Sequence, residues 1–172
     1  MKGYEKSIRV IEGFPKEGIS FKDISTLLSN KEAFHEAVDD LAAVIKDWEP
    51  DYIIGPESRG FVLGSPIAYA LGCGFIMARK PGKLPGKVIK ESYTLEYGAA
   101  TIELPEGLIK KGDKIVLFDD LLATGGTLKA LEDLVSTTGA DVKGIVTLIE
   151  LTDLKGSKVL KAPYKSLIKY PH

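Results

Sequence analysis

Four short apolar runs separated by segments of helical spacing constrain this chain more than any other feature. Tyr52-Ile53-Ile54, Phe75-Ile76-Met77-Ala78, Lys114-Ile115-Val116-Leu117-Phe118 and residues 142–151 are nearly continuous in apolar and β-branched residues. Such runs are the pattern of strands covered on both faces. Between the runs, Phe34, Ala37, Val38, Leu41, Ala42, Ile45 and Trp48 recur every three or four positions, which predicts a helix beginning near Ala33. Asn30 is its candidate N-cap, Glu32 falls in its first turn and Pro50 is its stop. A second helix is predicted after Thr127, with Leu128, Leu131, Leu134 and Val135 on one side and Gly139 as its end. Strands alternating with helices predict an α/β fold, a mainly parallel central sheet flanked by helices, with its ligand crevice at the carboxyl ends of the strands.

Composition narrows the possible partners. A chain of 172 residues predicts one domain, residues 1–172. At that length folding hides roughly 70% of the unfolded surface, so neither disulfide nor structural metal is required. Lys and Arg number 23 against 24 Asp and Glu, which argues against a nucleic-acid or membrane surface as partner. Cys73 is the one cysteine, so no intrachain disulfide or zinc-type cysteine cluster forms. With no apolar signal-peptide core in the opening MKGYEK, the expected setting is cytoplasmic. Residues 61–78 carry no charge over a span long enough to cross a bilayer, yet Gly64, Pro66, Gly72 and Gly74 interrupt them. A buried helix, a turn and a buried strand are predicted there.

Two segments break the alternation. RKPGKLPGK (79–87) has the glycine, proline and lysine content of an exposed mobile loop, and residues 92–98 and 99–104 read as two β segments around a turn. The first thirty residues are the least regular, and Phe14, Ile19 and Phe21 among them need burial in a flap or a subunit contact.

The chemistry concentrates in IVLFDDLLATGGTL (115–128): a buried strand, two acids at its carboxyl end, a glycine turn and a helix start. Free N–H groups and the positive end of the helix dipole make an anion site, which Gly125 and Gly126 let a phosphate approach. Thr124 and Thr127 add hydroxyl donors. Neither a Walker A loop nor a dinucleotide fingerprint is present. Asp119 and Asp120 would repel a bare phosphate, so sugar hydroxyls or a magnesium ion suit them; as isolated residues they equally suit capping of the following turn.

The run VLFDDLLATGGT resembles the phosphoribosyl-diphosphate (PRPP) motif of the type I phosphoribosyltransferases, in the form carried by members that act on adenine. FPKEGISFKDIS (14–25), GPESRGFVLG (55–64), RKPGKLPGKV (79–88), YTLEYG (93–98) and IELTDLKG (149–156) resemble that family in the same order. The resemblance implies the type I fold with a flexible basic loop and hairpin lid (79–104) and a small N-terminal base-side flap (1–30). It implies that Asp119 and Asp120 bind the ribose hydroxyls and that Ala123, Thr124, Gly125, Gly126 and Thr127 cradle the 5'-phosphate. Arg59, Arg79, Lys80 and Lys83 match diphosphate-binding positions, Glu96 the catalytic carboxylate, and Phe21 and Lys22 the base site. Lys22 stands where the family commonly carries Arg, and a point charge replaces a planar fork. No direct metal ligand is implied: Mg2+ arrives with the substrate, with Asp119 and Asp120 reaching it through water. The expected reaction joins adenine to PRPP, forming AMP and diphosphate in purine salvage, in a homodimer without nucleic-acid or membrane partners. The alternatives are transfer to another purine base, or a PRPP-sensing regulator.

Overall fold

The computed structural model describes residues 2–95 and 98–171. A 3-10 turn over Gly3–Ser7 buries Tyr4, and an antiparallel pair follows, β1 (Arg9–Glu12) against β2 (Ser20–Asp23). After the short α1 (Ser25–Ser29), α2 (Lys31–Ile45) starts at the predicted cap, where the Ala33 N–H donates to Asn30 Oδ1 at 3.0 Å. α2 ends before Pro50, however, because a 3-10 turn over Lys46–Trp48 and the left-handed Glu49 (φ 46°) have already reversed the chain.

The predicted alternation then appears in order: β3 (Tyr52–Pro56), α3 (Arg59–Leu71) and β4 (Gly74–Ala78). A hairpin of β5 (Val88–Leu95) and β6 (Gly98–Pro105) interrupts it before β7 (Lys114–Leu122), α4 (Gly126–Ser136), β8 (Asp141–Leu151) and β9 (Tyr164–Tyr170) complete the chain. Five strands form a parallel sheet in the order β4-β3-β7-β8-β9. The pleat of β7 feeds a core on each side. Val116 and Phe118 pack with Leu41 of α2 and with Leu63 and Ile67 of α3. Ile115 and Leu117 pack with Leu128, Leu131 and Leu134 of α4. Residues 61–78 are the predicted helix, turn and strand, and no helix among the described residues is long and apolar enough to cross a membrane.

Two expectations need correction. β7 runs through both acids to Leu122, so they lie within the strand and not after it. The hairpin is longer than expected, with Leu95 paired to Gly98, so Gly98 opens the second strand instead of closing the first. Phe14 is half-exposed in the single chain and packs edge-on against Phe21, ring centroids 5.1 Å apart.

Candidate active site

β3 and β7 lie side by side in parallel register, so the segments leaving their carboxyl ends emerge together. Arg59, the first residue of α3 after β3, sets its Nε 3.2 Å from Asp120 Oδ2 at the end of β7. That approach lacks hydrogen-bonding alignment, and Asp120 Oδ2 is a buried oxygen without a donor. Burial raises the Asp120 carboxyl above its ordinary range while the Arg59 charge draws it back. Asp119 is raised further, first by burial and then by repulsion from Asp120; its Oδ1 accepts the Asp120 N–H at 2.9 Å. The two carboxylates are therefore held at a cost that a cation or hydroxyl donors would offset.

The following loop is shaped by backbone packing. Gly125 sits at φ +86°, and a Cβ there would stand 2.5 Å from the Gly156 carbonyl oxygen. A Cβ on Gly156 would meet the Ala123 oxygen at 2.2 Å. The loop thus rests directly on the 3-10 turn Gly156–Val159. α4 begins at Gly126 with no side chain capping it and no acid in its first turn, which leaves its leading N–H groups for an anion. A cavity of about 220 Å³ opens here, lined by Arg59, Asp119, residues 121–128 and Leu95 of the hairpin.

Arg79 and Lys80 line a second, smaller cavity of about 100 Å³ that shares Thr127 with the first. Glu57 organises its rim. Its Oε1 accepts the Lys80 N–H at 2.7 Å and faces Arg79 Nε at 3.3 Å, and the Lys80 N–H, followed by the Arg79 charge, lowers its carboxyl below the usual range. On the opposite side, Gly82 N–H donates to the buried Glu103, so the first residues of the basic loop are held from two sides.

Most predicted positions are thereby brought together. Asp119, Ala123, Thr124, Gly125, Gly126, Thr127 and Arg59 share one cavity, and Arg79 and Lys80 share its neighbour. Phe21 reaches the site through Arg59, whose guanidinium carbon lies 5.5 Å from the ring centroid. Lys22 does not line either cavity: it is buried, donates to Ser20 Oγ at 2.7 Å and lies over the Tyr170 ring at 5.1 Å. Lys83 is exposed and lines neither cavity; its carbonyl accepts from Arg79 at 3.4 Å. Glu96 lies outside the described residues, next to the cavity-lining Leu95. Sequence reasoning missed Glu57 as a partner of the basic loop, Tyr93 against Thr127, and Gly156 beneath the loop of residues 123–125. Only the glycine of IELTDLKG hinted at the last.

Comparisons with known proteins agree with this geometry. The family model described as phosphoribosyl transferase domain matches residues 24–171. The adenine phosphoribosyltransferase of Desulfitobacterium hafniense is 54% identical over 169 residues, 97% of each chain. Among solved structures, that enzyme from Thermoanaerobacter pseudethanolicus is 44% identical and superposes with a TM-score of 0.94 over 97% of this chain and 98% of its own. The Saccharomyces cerevisiae enzyme, complexed with adenine and an imino-altritol bisphosphate, is 35% identical with a TM-score of 0.91 over 95% of each chain.

Proposed function

The chain belongs to the phosphoribosyltransferase family and, within it, to the adenine phosphoribosyltransferases, and from that membership we propose how its residues join adenine to PRPP, forming AMP and diphosphate in purine salvage. The observation that carries the reading is the meeting of the uncapped α4 terminus, Asp119 and Arg59 around one cavity, with Asp120 buried beside it against Arg59. An anion held at the loop and a diol held at the acids are the two ends of a 5-phosphoribosyl group. The yeast relative crystallised with adenine and a bisphosphate, which supports the same pair of ligand chemistries here.

In this reading the N–H groups of residues 123–127 hold the 5'-phosphate, and Asp119 and Asp120 accept from the ribose hydroxyls. The bond from C1 to the diphosphate oxygen breaks ahead of attack by a purine ring nitrogen, which gives an oxocarbenium-like transition state. Arg59, Arg79, Lys80 and Lys83 stabilise the departing diphosphate, and closure of the 79–104 segment excludes water that would otherwise hydrolyse PRPP. Glu96 is the carboxylate proposed to face the reacting base. Phe21 offers an aromatic face to adenine, whereas Lys22 acts from behind it through Ser20 and Tyr170.

Magnesium fits this donor set as a substrate-borne ion. Among the described residues no three His, Cys, Asp or Glu side chains cluster, and the buried Asp120 with its half-buried neighbour Asp119 matches an ion that keeps its waters and takes phosphate oxygens. Asp119 and Asp120 would hold it through water, and it would neutralise charge building on the diphosphate.

A homodimer in the cytoplasm completes the proposal. Val62 and Tyr69, on one side of α3, and Met77 on the edge strand β4 are exposed apolar residues suited to a second copy; sedimentation at twice the chain mass would support it. The deciding assay is AMP formation from PRPP and adenine with magnesium, beside guanine, hypoxanthine, xanthine and no-base controls. Product with adenine alone supports the reading. Product with another base moves the specificity, and PRPP binding without any product favours a regulator.

A further inference from the structure

We propose that Tyr93 is a positioning residue for the phosphate loop: its hydroxyl directs the Thr127 hydroxyl toward a bound 5'-phosphate and so ties the β5–β6 hairpin to occupancy of the loop. Tyr93 Oη lies 3.1 Å from Thr127 Oγ1, with either atom able to donate. Its ring also covers Gly126, standing 3.6 Å from where a Cβ would be. Tyr93 lines the small cavity beside Arg79 and Lys80, as well as a groove along α4 beside Lys129, so it stands where the hairpin, the basic loop and the phosphate loop meet.

Proton counting fixes the direction of this bond. A threonine hydroxyl has one proton and two lone pairs, so it can donate to only one acceptor. In the empty loop the Tyr93–Thr127 bond can run in either direction. Once a phosphate occupies the loop, the Thr127 proton goes to the anion, and Tyr93 must become the donor. A phenol donating to a hydroxyl that itself donates to an anion is a polarised chain, in which each bond strengthens the next. Tyr93 thus removes the orientation in which Thr127 turns its lone pairs toward the phosphate, and phosphate binding tightens the bond that holds β5 against α4. The hairpin carries Leu95 at the cavity wall, so the same bond holds that wall in place.

This inference rests on the loop being the 5'-phosphate site, and the experiment separates the two. Ribose 5-phosphate is titrated calorimetrically into the wild type, Tyr93→Phe, Thr127→Val and the double variant, with thermal melts as the check on folding. Tyr93→Phe removes one half-buried hydroxyl and should leave the melt unchanged. Its affinity for ribose 5-phosphate should fall about fivefold, the size of one hydrogen bond. On the Thr127→Val background the same change should cost nothing further, because the hydroxyl it orients is gone. In turnover, KM for PRPP should rise for Tyr93→Phe while KM for adenine stays put. Wild-type affinity in Tyr93→Phe, or losses that add in full in the double variant, would overturn the inference alone. Failure of the wild type to bind ribose 5-phosphate would overturn the loop's assignment along with it.

Discussion

Gly156→Ala should damage a phosphate site from which residue 156 itself is absent. The added Cβ would sit 2.2 Å from the Ala123 oxygen and 2.9 Å from the Gly125 nitrogen, both backbone atoms. Ordinary contact with carbon needs roughly 3.5 Å, so the two segments must part by about 1 Å. Neither can yield easily: Gly125 is already in the left-handed region, and its own Cα faces the Gly156 carbonyl with no room for a side chain. Overpacking of this kind costs about 1–3 kcal/mol. For a chain of this length each kcal/mol lowers Tm by roughly 2–4 °C, so a drop of about 2–12 °C is expected. The larger effect falls on binding. Moving the loop by about 1 Å takes N–H groups out of hydrogen-bond range of the anion, and each charge-assisted bond contributes about 1.5–3 kcal/mol, so affinity for ribose 5-phosphate should fall at least tenfold. Gly126→Ala is the steric control for stability: its Cβ would meet only the Tyr93 ring at 3.6 Å, and alanine favours a helix start over glycine. Its melt should match or exceed the wild type. Calorimetry and thermal melts on both variants decide the matter. A Gly156→Ala protein that melts within about 1 °C of wild type and binds ribose 5-phosphate as tightly would refute the interlocking of the two glycines.

Three other predictions follow from charge and burial. Asp119 has a raised carboxyl, so it costs nothing while protonated and destabilises as pH rises through its folded-state value. Asp119→Asn, whose Oδ1 still accepts the Asp120 N–H, should therefore melt above wild type near pH 8, with the gap closing toward about pH 4, while PRPP binding weakens; a lower melt at the alkaline end would count against the argument. Asp23 is lowered to about 2 by hydrogen bonds from Ser25 and by Arg9, so its contribution is present above about pH 4 and lost as pH falls through about 2. Asp23→Asn should destabilise at neutral pH and progressively less in acid, as followed by thermal melts across that range. Buried Glu132 on α4 accepts N–H bonds from Lys161 at 3.0 Å and Ala162 at 2.6 Å. Glu132→Ala orphans both, and urea unfolding should show a loss of roughly 2–4 kcal/mol; a change no greater than that of a typical surface substitution would disprove the clamp.

Much of the fold was legible because its signals are local. Continuous apolar runs marked β3, β4, β7 and β8, and Asn30 three residues ahead of Ala33 announced the α2 cap, since capping joins near neighbours. β9 was not legible: Tyr164–Tyr170 reads YKSLIKY, with neither strict alternation nor an apolar run longer than Leu167-Ile168, as an edge strand with one neighbour can. Pro50 misled about the end of α2 because a left-handed Glu49, which nothing in the residue type requires, turned the chain first. Lys22 sits near the expected base segment, yet only packing decides that its ammonium turns inward to Ser20 and Tyr170 instead of into a cavity.

The order strand, two acids, glycine turn, helix is written in consecutive residues, and the sequence by itself determined it, along with the anion-binding character that any uncapped helix start possesses. The tertiary structure alone decided what meets that segment. Arg59 faces Asp120 because β3 and β7 run parallel with Tyr52 opposite Ile115, which sends both carboxyl ends out on the same edge. Gly125 and Gly156 fit because the segment after β8 folds back beneath the loop, and Tyr93 reaches Thr127 because β5 packs on α4. Periodicity and capping act over one or two turns of chain, whereas these meetings depend on how the sheet is ordered, and no local signal encodes that order.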